Sequence, residues 1–222
     1  MKKLNLLVIT VLMYLLAISP AFAVEAAGTM VDNKVAPVSS SVGNAAIASR
    51  SNNDLVIADF DTGDKPNNLG GDFGSWDKDP NDETQGCHMS FESDDAKGDK
   101  TGYSLRFDYD VDSPNPAYNG FWMKLNNLDA TPYNTLNFYM KGDAAKGFTK
   151  KVKIELKDTT GSSPYILNGV TDQWQKFSIP FEKFRKLTNW KQMTEFVVVF
   201  DDINSSPKAG SIYLDDVSFS AE

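Results

Sequence analysis

From Tyr103 onward, apolar side chains return at every second position in one short run after another. Tyr103-Ser104-Leu105-Arg106-Phe107-Asp108-Tyr109 alternates strictly, and so do Leu136, Phe138 and Met140. Val152, Ile154 and Leu156 alternate with Lys153, Glu155 and Lys157, and Phe177 and Ile179 face one way in a run ending at Pro180. A period of two places every other side chain on one face of an extended strand, so each run buries one face and wets the other. Glu195 to Phe200 is continuously apolar after its first residue, the pattern of a strand covered on both faces. Ile212 and Leu214 open a last strand running to about Phe219. Turn formers separate the runs: Asp112 to Pro116, Lys141-Gly142-Asp143, Thr160 to Pro164, and Asn204 to Gly210. One short helical piece is expected around Phe181 to Lys186. Strands spaced this way, with no β–α alternation, predict an all-β sandwich of antiparallel sheets.

The N-terminus sets the expected compartment. Lys2 and Lys3 precede an apolar stretch from Leu4 to Ser19, then Pro20 and Ala21-Phe22-Ala23. This is the pattern of a signal peptide cleaved after Ala23, so residues 1–23 are read as a signal and the product as secreted or periplasmic. Residues 24–53 are rich in Ala, Ser, Val, Gly and Asn without a sustained period and are read as a flexible linker. Residues 54–222 are left as one domain, with no membrane insertion after cleavage. The signal carries two lysines and no acid, so its removal takes the formal charge from −8 to −10. Such a chain repels phosphate backbones, which argues against nucleic acid and leaves neutral glycans or divalent cations as fitting partners. Cys87 is the single cysteine, so no intrachain disulfide can form.

Three stretches, taken in order, carry a resemblance. They are Ala58-Asp59-Phe60-Asp61-Thr62-Gly63, Gln173-Trp174-Gln175-Lys176-Phe177-Ser178-Ile179-Pro180-Phe181 followed by Phe184, and Gly210-Ser211-Ile212-Tyr213-Leu214-Asp215-Asp216-Val217-Ser218-Phe219. Together they resemble carbohydrate-binding modules with the galactose-binding-like jelly-roll fold, family 11 and the related CIA30-like domains most of all. The resemblance covers about Leu55 to Phe219. It implies non-catalytic binding of a polysaccharide or oligosaccharide, with a protein partner in the cell envelope as the reading that CIA30-like relatives suggest.

The resemblance also implies site residues. A structural calcium would take Asp61, Asp215 and a carbonyl from Lys100-Thr101-Gly102, with Asp59 and Asp216 beside them; a hard cation of this kind collects six to eight oxygens. Tyr118, Asn189, Trp190 and Glu195 match positions that contact glycan in the family, although the family carries an acid at the place of Asn189 and its nearby arginine has no exact counterpart here, Arg185 and Lys186 lying close. Trp122 joins them as a candidate, because either it or Phe121 must face away from the core. Tyr118 and Trp190 are equally compatible with ordinary packing. Trp76 lies in a glycine-rich stretch expected to be a loop from which it would extend the aromatic platform, Trp174 is expected in the core, and Lys153 with Glu155 is read as a solvated or cross-strand charge pair, with lining of the groove as the alternative.

Other chemistries find less support. Asp77-x-Asp79-x-Asn81 begins like an EF-hand loop, but Asp82 stands where glycine is needed and His88 where a bidentate Glu is needed. One His and one Cys are too few for a zinc set. No Gly-x-Ser-x-Gly elbow is present. A sandwich-fold glycoside hydrolase or lyase remains the enzymatic alternative, since paired carboxylates cannot be recognised by counting acids.

Overall fold

The computed structural model describes residues 54–93, 95–98 and 101–221; the expected signal peptide, the expected linker and Lys100 lie outside them. Among the described residues eleven strands form two antiparallel sheets: β1 Leu55–Ala58, β2 Phe73–Asp77, β3 Gly86–Glu92, β4 Ser104–Asp110, β5 Tyr118–Leu128, β6 Thr135–Gly142, β7 Lys151–Asp158, β8 Ser162–Asn168, β9 Gln175–Pro180, β10 Met193–Asp201 and β11 Ala209–Ser220. One sheet runs β3-β4-β11-β6-β9 with β1 also paired to β11, and the other runs β2-β5-β10-β7-β8. The chain is thus an all-β jelly-roll sandwich. Among the described residues no helix is long and apolar enough to cross a membrane.

The core lies between the sheets and is built from the alternating positions. Leu105 and Phe107 of β4, Phe121 and Met123 of β5, Phe138 of β6, Ile154 of β7 and Phe196, Val198 and Phe200 of β10 are fully buried. Phe107 meets Phe121 across the interface at 4.9 Å, and Tyr109 stacks on Phe200 at 4.2 Å. Each such side chain contributes roughly 1.5–3 kcal/mol by burial. Phe121→Ala, which opens a cavity at the centre, would cost about 3–5 kcal/mol.

β10 is the middle strand of its sheet, between β5 and β7. Its second apolar set, Val197 and Val199, is buried on the outer face of that sheet, which accounts for the continuous apolar run.

Three local expectations change. The helical piece is a single 3₁₀ turn, Phe181–Lys183, closed by the Phe184 N–H on the Phe181 carbonyl at 2.9 Å. Side chains three apart eclipse in such a turn, and the tighter winding lets both Phe181 and Phe184 reach the core. The stretch around Trp76 is strand β2 rather than a loop, paired to β5 from Phe73↔Met123 to Asp77↔Asn119. Trp174 is half-buried outside the core, edge-on to Tyr213 at 6.3 Å, with the Lys141 ammonium 5.5 Å from its ring.

Candidate functional site

The outer face of the five-stranded sheet holds a groove of about 570 Å³ lined by Trp76, Tyr118, Trp122, Lys124, Lys153, Glu155, Lys157, Glu195, Val197 and Val199. Strand register arranges these residues in rows across the sheet. Tyr118 pairs with Asp201. In the next row Trp76 pairs with Gly120, Gly120 with Val199, and Val199 with Lys153. Then Trp122 pairs with Val197, and Val197 with Glu155. In the last, Lys124 pairs with Glu195, and Glu195 with Lys157. The groove therefore has an aromatic wall on β2 and β5, a valine floor on β10 and a charged wall on β7.

Two glycines shape the aromatic wall. Gly120, in the row beneath Trp76, leaves that position without a side chain; a Cβ there would lie 2.0 Å from the Val198 carbonyl oxygen. Gly74 lies under Trp122, whose ring would touch a Cβ at 3.5 Å. Trp76 meets Tyr118 edge-on at 5.8 Å, and Tyr118 is 44% exposed. Cations sit over the rim rings: Lys78 Nζ is 5.5 Å from the Tyr118 ring and Lys124 Nζ 5.3 Å from Trp122.

The charged wall is internally paired except at one position. Glu195 accepts from Lys124 and, at 2.8 Å, from Lys157. Burial pushes the Glu195 carboxyl up, but the two lysines outweigh burial and hold it below the usual carboxylate range. Lys153 pairs with the buried Asp201 at 2.7 Å, and Asp201 also accepts the Ile203 and Asn204 N–H groups of the following turn. The anticipated pairing of Lys153 with Glu155 is thus replaced by Lys153 with Asp201. Glu155, half-buried on β7, has no hydrogen-bond or ion-pair partner among the described residues.

Of the candidate glycan contacts, the structure brings Tyr118, Trp122 and Glu195 together in the groove, with Trp76 beside them, placed there by a strand and not by the expected loop. Phe121 takes the core position and Trp122 the outer one. Trp190 and Asn189 are not in the groove, which corrects the expectation for both. Trp190 stacks on Phe181 at 4.2 Å with the rings 7° from parallel, and Phe181 in turn meets Phe219 at 4.9 Å. The indole thereby closes one end of the core instead of lining the sheet.

Asn189 is held by the buried Asp158, which accepts the N–H groups of Thr160, Gly161, Thr188 and Asn189. Burial pushes the Asp158 carboxyl up, but these donors and the Thr160 hydroxyl overcome burial and hold it well below the usual range. Both departures arise from tertiary partners, Phe181 and Asp158, that lie in other segments.

The expected metal ligands are gathered only in part. Asp215 is buried within the β11–β6 pairing, just before a register shift. Its carboxylate accepts the Lys97 N–H at 3.0 Å and the Asp216 N–H at 2.7 Å. Burial drives its pKa up to about 6; the Lys97 N–H opposes this, and the charges of Asp216 and Asp61 add to it. Asp61 lies against Gly102, where a Cβ would meet its Oδ1 at 2.1 Å. Asp59 instead bonds Asn68 through Oδ2 at 2.9 Å, and Asp216 pairs with Lys97. Among the described residues no three His, Cys, Asp or Glu side chains converge closely enough to hold a metal ion. The EF-hand-like stretch is no loop at its start, since Asp77 ends β2 and accepts the Cys87 N–H at 2.6 Å.

A two-sheet jelly roll with an aromatic-walled groove on one outer face defines the class of carbohydrate-binding modules. The chain belongs to the carbohydrate binding domain 30 family, whose model matches residues 66–221. Solved structures share the fold. The family 11 carbohydrate-binding module of the cellulosomal cellulase Lic26A-Cel5E of Clostridium thermocellum is 16% identical, with a TM-score of 0.55 over 76% of this chain and 95% of that module. The same family's module from Clostridium thermocellum, in complex with a β-1,3-1,4-mixed-linked tetrasaccharide, is 16% identical with a TM-score of 0.54, over 76% of this chain and 95% of that one. An exo-β-agarase aligns at 9% identity and a TM-score of 0.57, over 76% of this chain and 25% of the enzyme. Among curated protein sequences no match was found. The likeness to family 11 is thus one of fold, while the sequence places the chain in family 30.

Proposed function

We propose that this chain is an exported, non-catalytic module that binds a neutral polysaccharide along the groove of its five-stranded sheet. The observation that carries the reading is the pairing of Trp76, Tyr118 and Trp122 on one wall with polar groups on the other. Sugar rings present C–H faces that stack on aromatic rings and hydroxyl rims that need donors and acceptors. Tyr118 and Trp122 lie four residues apart on β5, about 13 Å along the strand. That length suits a glycan chain and exceeds a single monosaccharide. The mixed-linkage tetrasaccharide bound by the family 11 module makes β-glucans the first ligands to test.

A hydrolase of this geometry would need one carboxyl held protonated as a general acid. Glu195 is held the other way by two lysines, which supports binding over catalysis. We further propose that Asp61 and Asp215, with backbone carbonyls near Gly102, hold a structural calcium; a buried carboxylate with a second one nearby fits a hard cation. Affinity electrophoresis in gels containing barley β-glucan, xyloglucan, xylan or glucomannan tests the binding reading. Retardation of the wild type that Trp122→Ala weakens about tenfold supports it, and unretarded migration in every gel contradicts it.

A further inference from the structure

We propose that Glu155 is the specificity-determining acceptor of the groove: it reads the hydroxyl edge of a neutral sugar stacked on Trp122 and turns away sugars that carry a carboxylate. This deepens the glycan reading and rests on it.

The inference comes from a charge inventory. Side chains two apart on a strand share a face, so Lys153, Glu155 and Lys157 all point into the groove from β7. Both lysines are committed elsewhere, Lys153 to Asp201 at 2.7 Å and Lys157 to Glu195 at 2.8 Å. Lys124, the groove's other lysine, is also committed to Glu195. Every ammonium in the groove thus has an acid partner other than Glu155, but Lys124 and Lys157 share one, so the single charge of Glu155 brings the three lysines and three acids to balance. Glu155 is left with all its acceptor capacity unused by the described residues, although it is half-buried between two cations. A carboxylate placed so gains little from its own fold and has two oxygens to offer a ligand.

Position supports the same role. Val197 pairs with both Trp122 and Glu155, so the ring and the carboxylate stand in one row with a valine between them. Two strand spacings separate them, about 10 Å, room for one sugar ring and a hydrogen bond at its edge. Hydroxyl donors to a carboxylate make short, charge-assisted bonds, stronger than those to a neutral amide. With Glu155 the acids already equal the lysines in number, so a uronate or carboxymethyl group brought beside it adds a charge with no ammonium left to pair it and is repelled by the nearest carboxylate. Glu195 plays a different part, holding Lys124 and Lys157 in place.

The test uses the same four polysaccharides, each with its carboxymethylated derivative, in affinity gels at low salt. Melting curves establish that each variant is folded. The wild type should bind the neutral polymer at least tenfold more tightly than its carboxymethylated form. Glu155→Ala should lose at least tenfold on the neutral polymer. Glu155→Gln should lose less there and should shrink the neutral-to-carboxymethyl ratio to about twofold, whereas Tyr118→Ala, which removes no charge, should weaken both forms alike and leave that ratio in place. Neutral binding by Glu155→Ala within twofold of wild type, or an unchanged ratio in Glu155→Gln, overturns the role of Glu155 while leaving the groove reading standing. Failure of all neutral polymers to retard the wild type overturns the groove reading, and this role with it.

Discussion

Trp122 and Glu155 stand on opposite sides of Val197, each in register with it, one from β5 and the other from β7. An indole face and a carboxylate thus share one row of a sheet, over a floor that offers no competing hydrogen bond. The row depends on β10 being apolar on both faces, because Val197 and Val199 seal the groove while Phe196, Val198 and Phe200 fill the core.

Replacing the rings should weaken binding with little cost to the fold. Trp122→Ala should lower affinity about tenfold, the equivalent of roughly 1.4 kcal/mol, and Tyr118→Ala, at the more exposed end, somewhat less. Affinity electrophoresis gives both values. Thermal melting should place the two variants close to wild type, since neither ring lies in the core.

Trp190→Ala should behave in the opposite way. The stack on Phe181 would be lost and the end of the core opened, at a cost of roughly 2–3 kcal/mol, below the value for a fully buried tryptophan. Urea unfolding measures the loss. Glycan affinity of the folded variant should match wild type, and a large fall in affinity would return Trp190 to the site.

Acid should weaken the fold partly through Glu195. Its folded pKa lies below the unfolded one, because the ion pairs from Lys124 and Lys157 overcome the effect of burial. The contribution is therefore fully present above about pH 4.3 and is lost as pH falls from there through the folded value. The urea midpoint between pH 6 and pH 3 should drop more steeply for wild type than for Glu195→Gln. Equal slopes would mean that the triad adds nothing.

Much of the sandwich was legible because a period of two is a local signal. The runs at Tyr103, Leu136, Val152, Phe177, Glu195 and Ile212 all fall within, or begin just before, β4, β6, β7, β9, β10 and β11. The strand at Phe73 was missed because Gly70, Gly71 and Gly74 hid its alternation; Gly70 takes a φ of +74°, and Gly71 serves a close approach, a Cβ there lying 2.3 Å from the Lys124 carbonyl oxygen. The groove was half legible. Tyr118 and Glu195 could be named through the family resemblance and Trp122 from its place beside Phe121, whereas the removal of Trp190 and Asn189 depends on Phe181 and Asp158, which no local pattern connects to them. The alternation Lys153-Glu155-Lys157 carried the signal for the charged wall, but a solvated face of a strand shows the same pattern.

Calcium should stabilise the domain if Asp61 and Asp215 hold it. At a concentration about a hundredfold above Kd, binding adds roughly 2.7 kcal/mol, or about 5–10 °C in Tm for a domain of this size. EDTA should reverse the gain, and Asp215→Asn should melt at the same temperature with and without calcium. An identical wild-type Tm in EDTA and in calcium would contradict the site.

The most direct measurement follows the four tryptophan indole N–H resonances during titration with a mixed-linkage tetrasaccharide, or with whichever neutral glycan the affinity gels select. The groove account predicts that the signals of Trp76 and Trp122 shift with ligand while those of Trp174 and Trp190 stay in place. Shifts confined to Trp174 or Trp190, or no shift at saturating glycan, would contradict it.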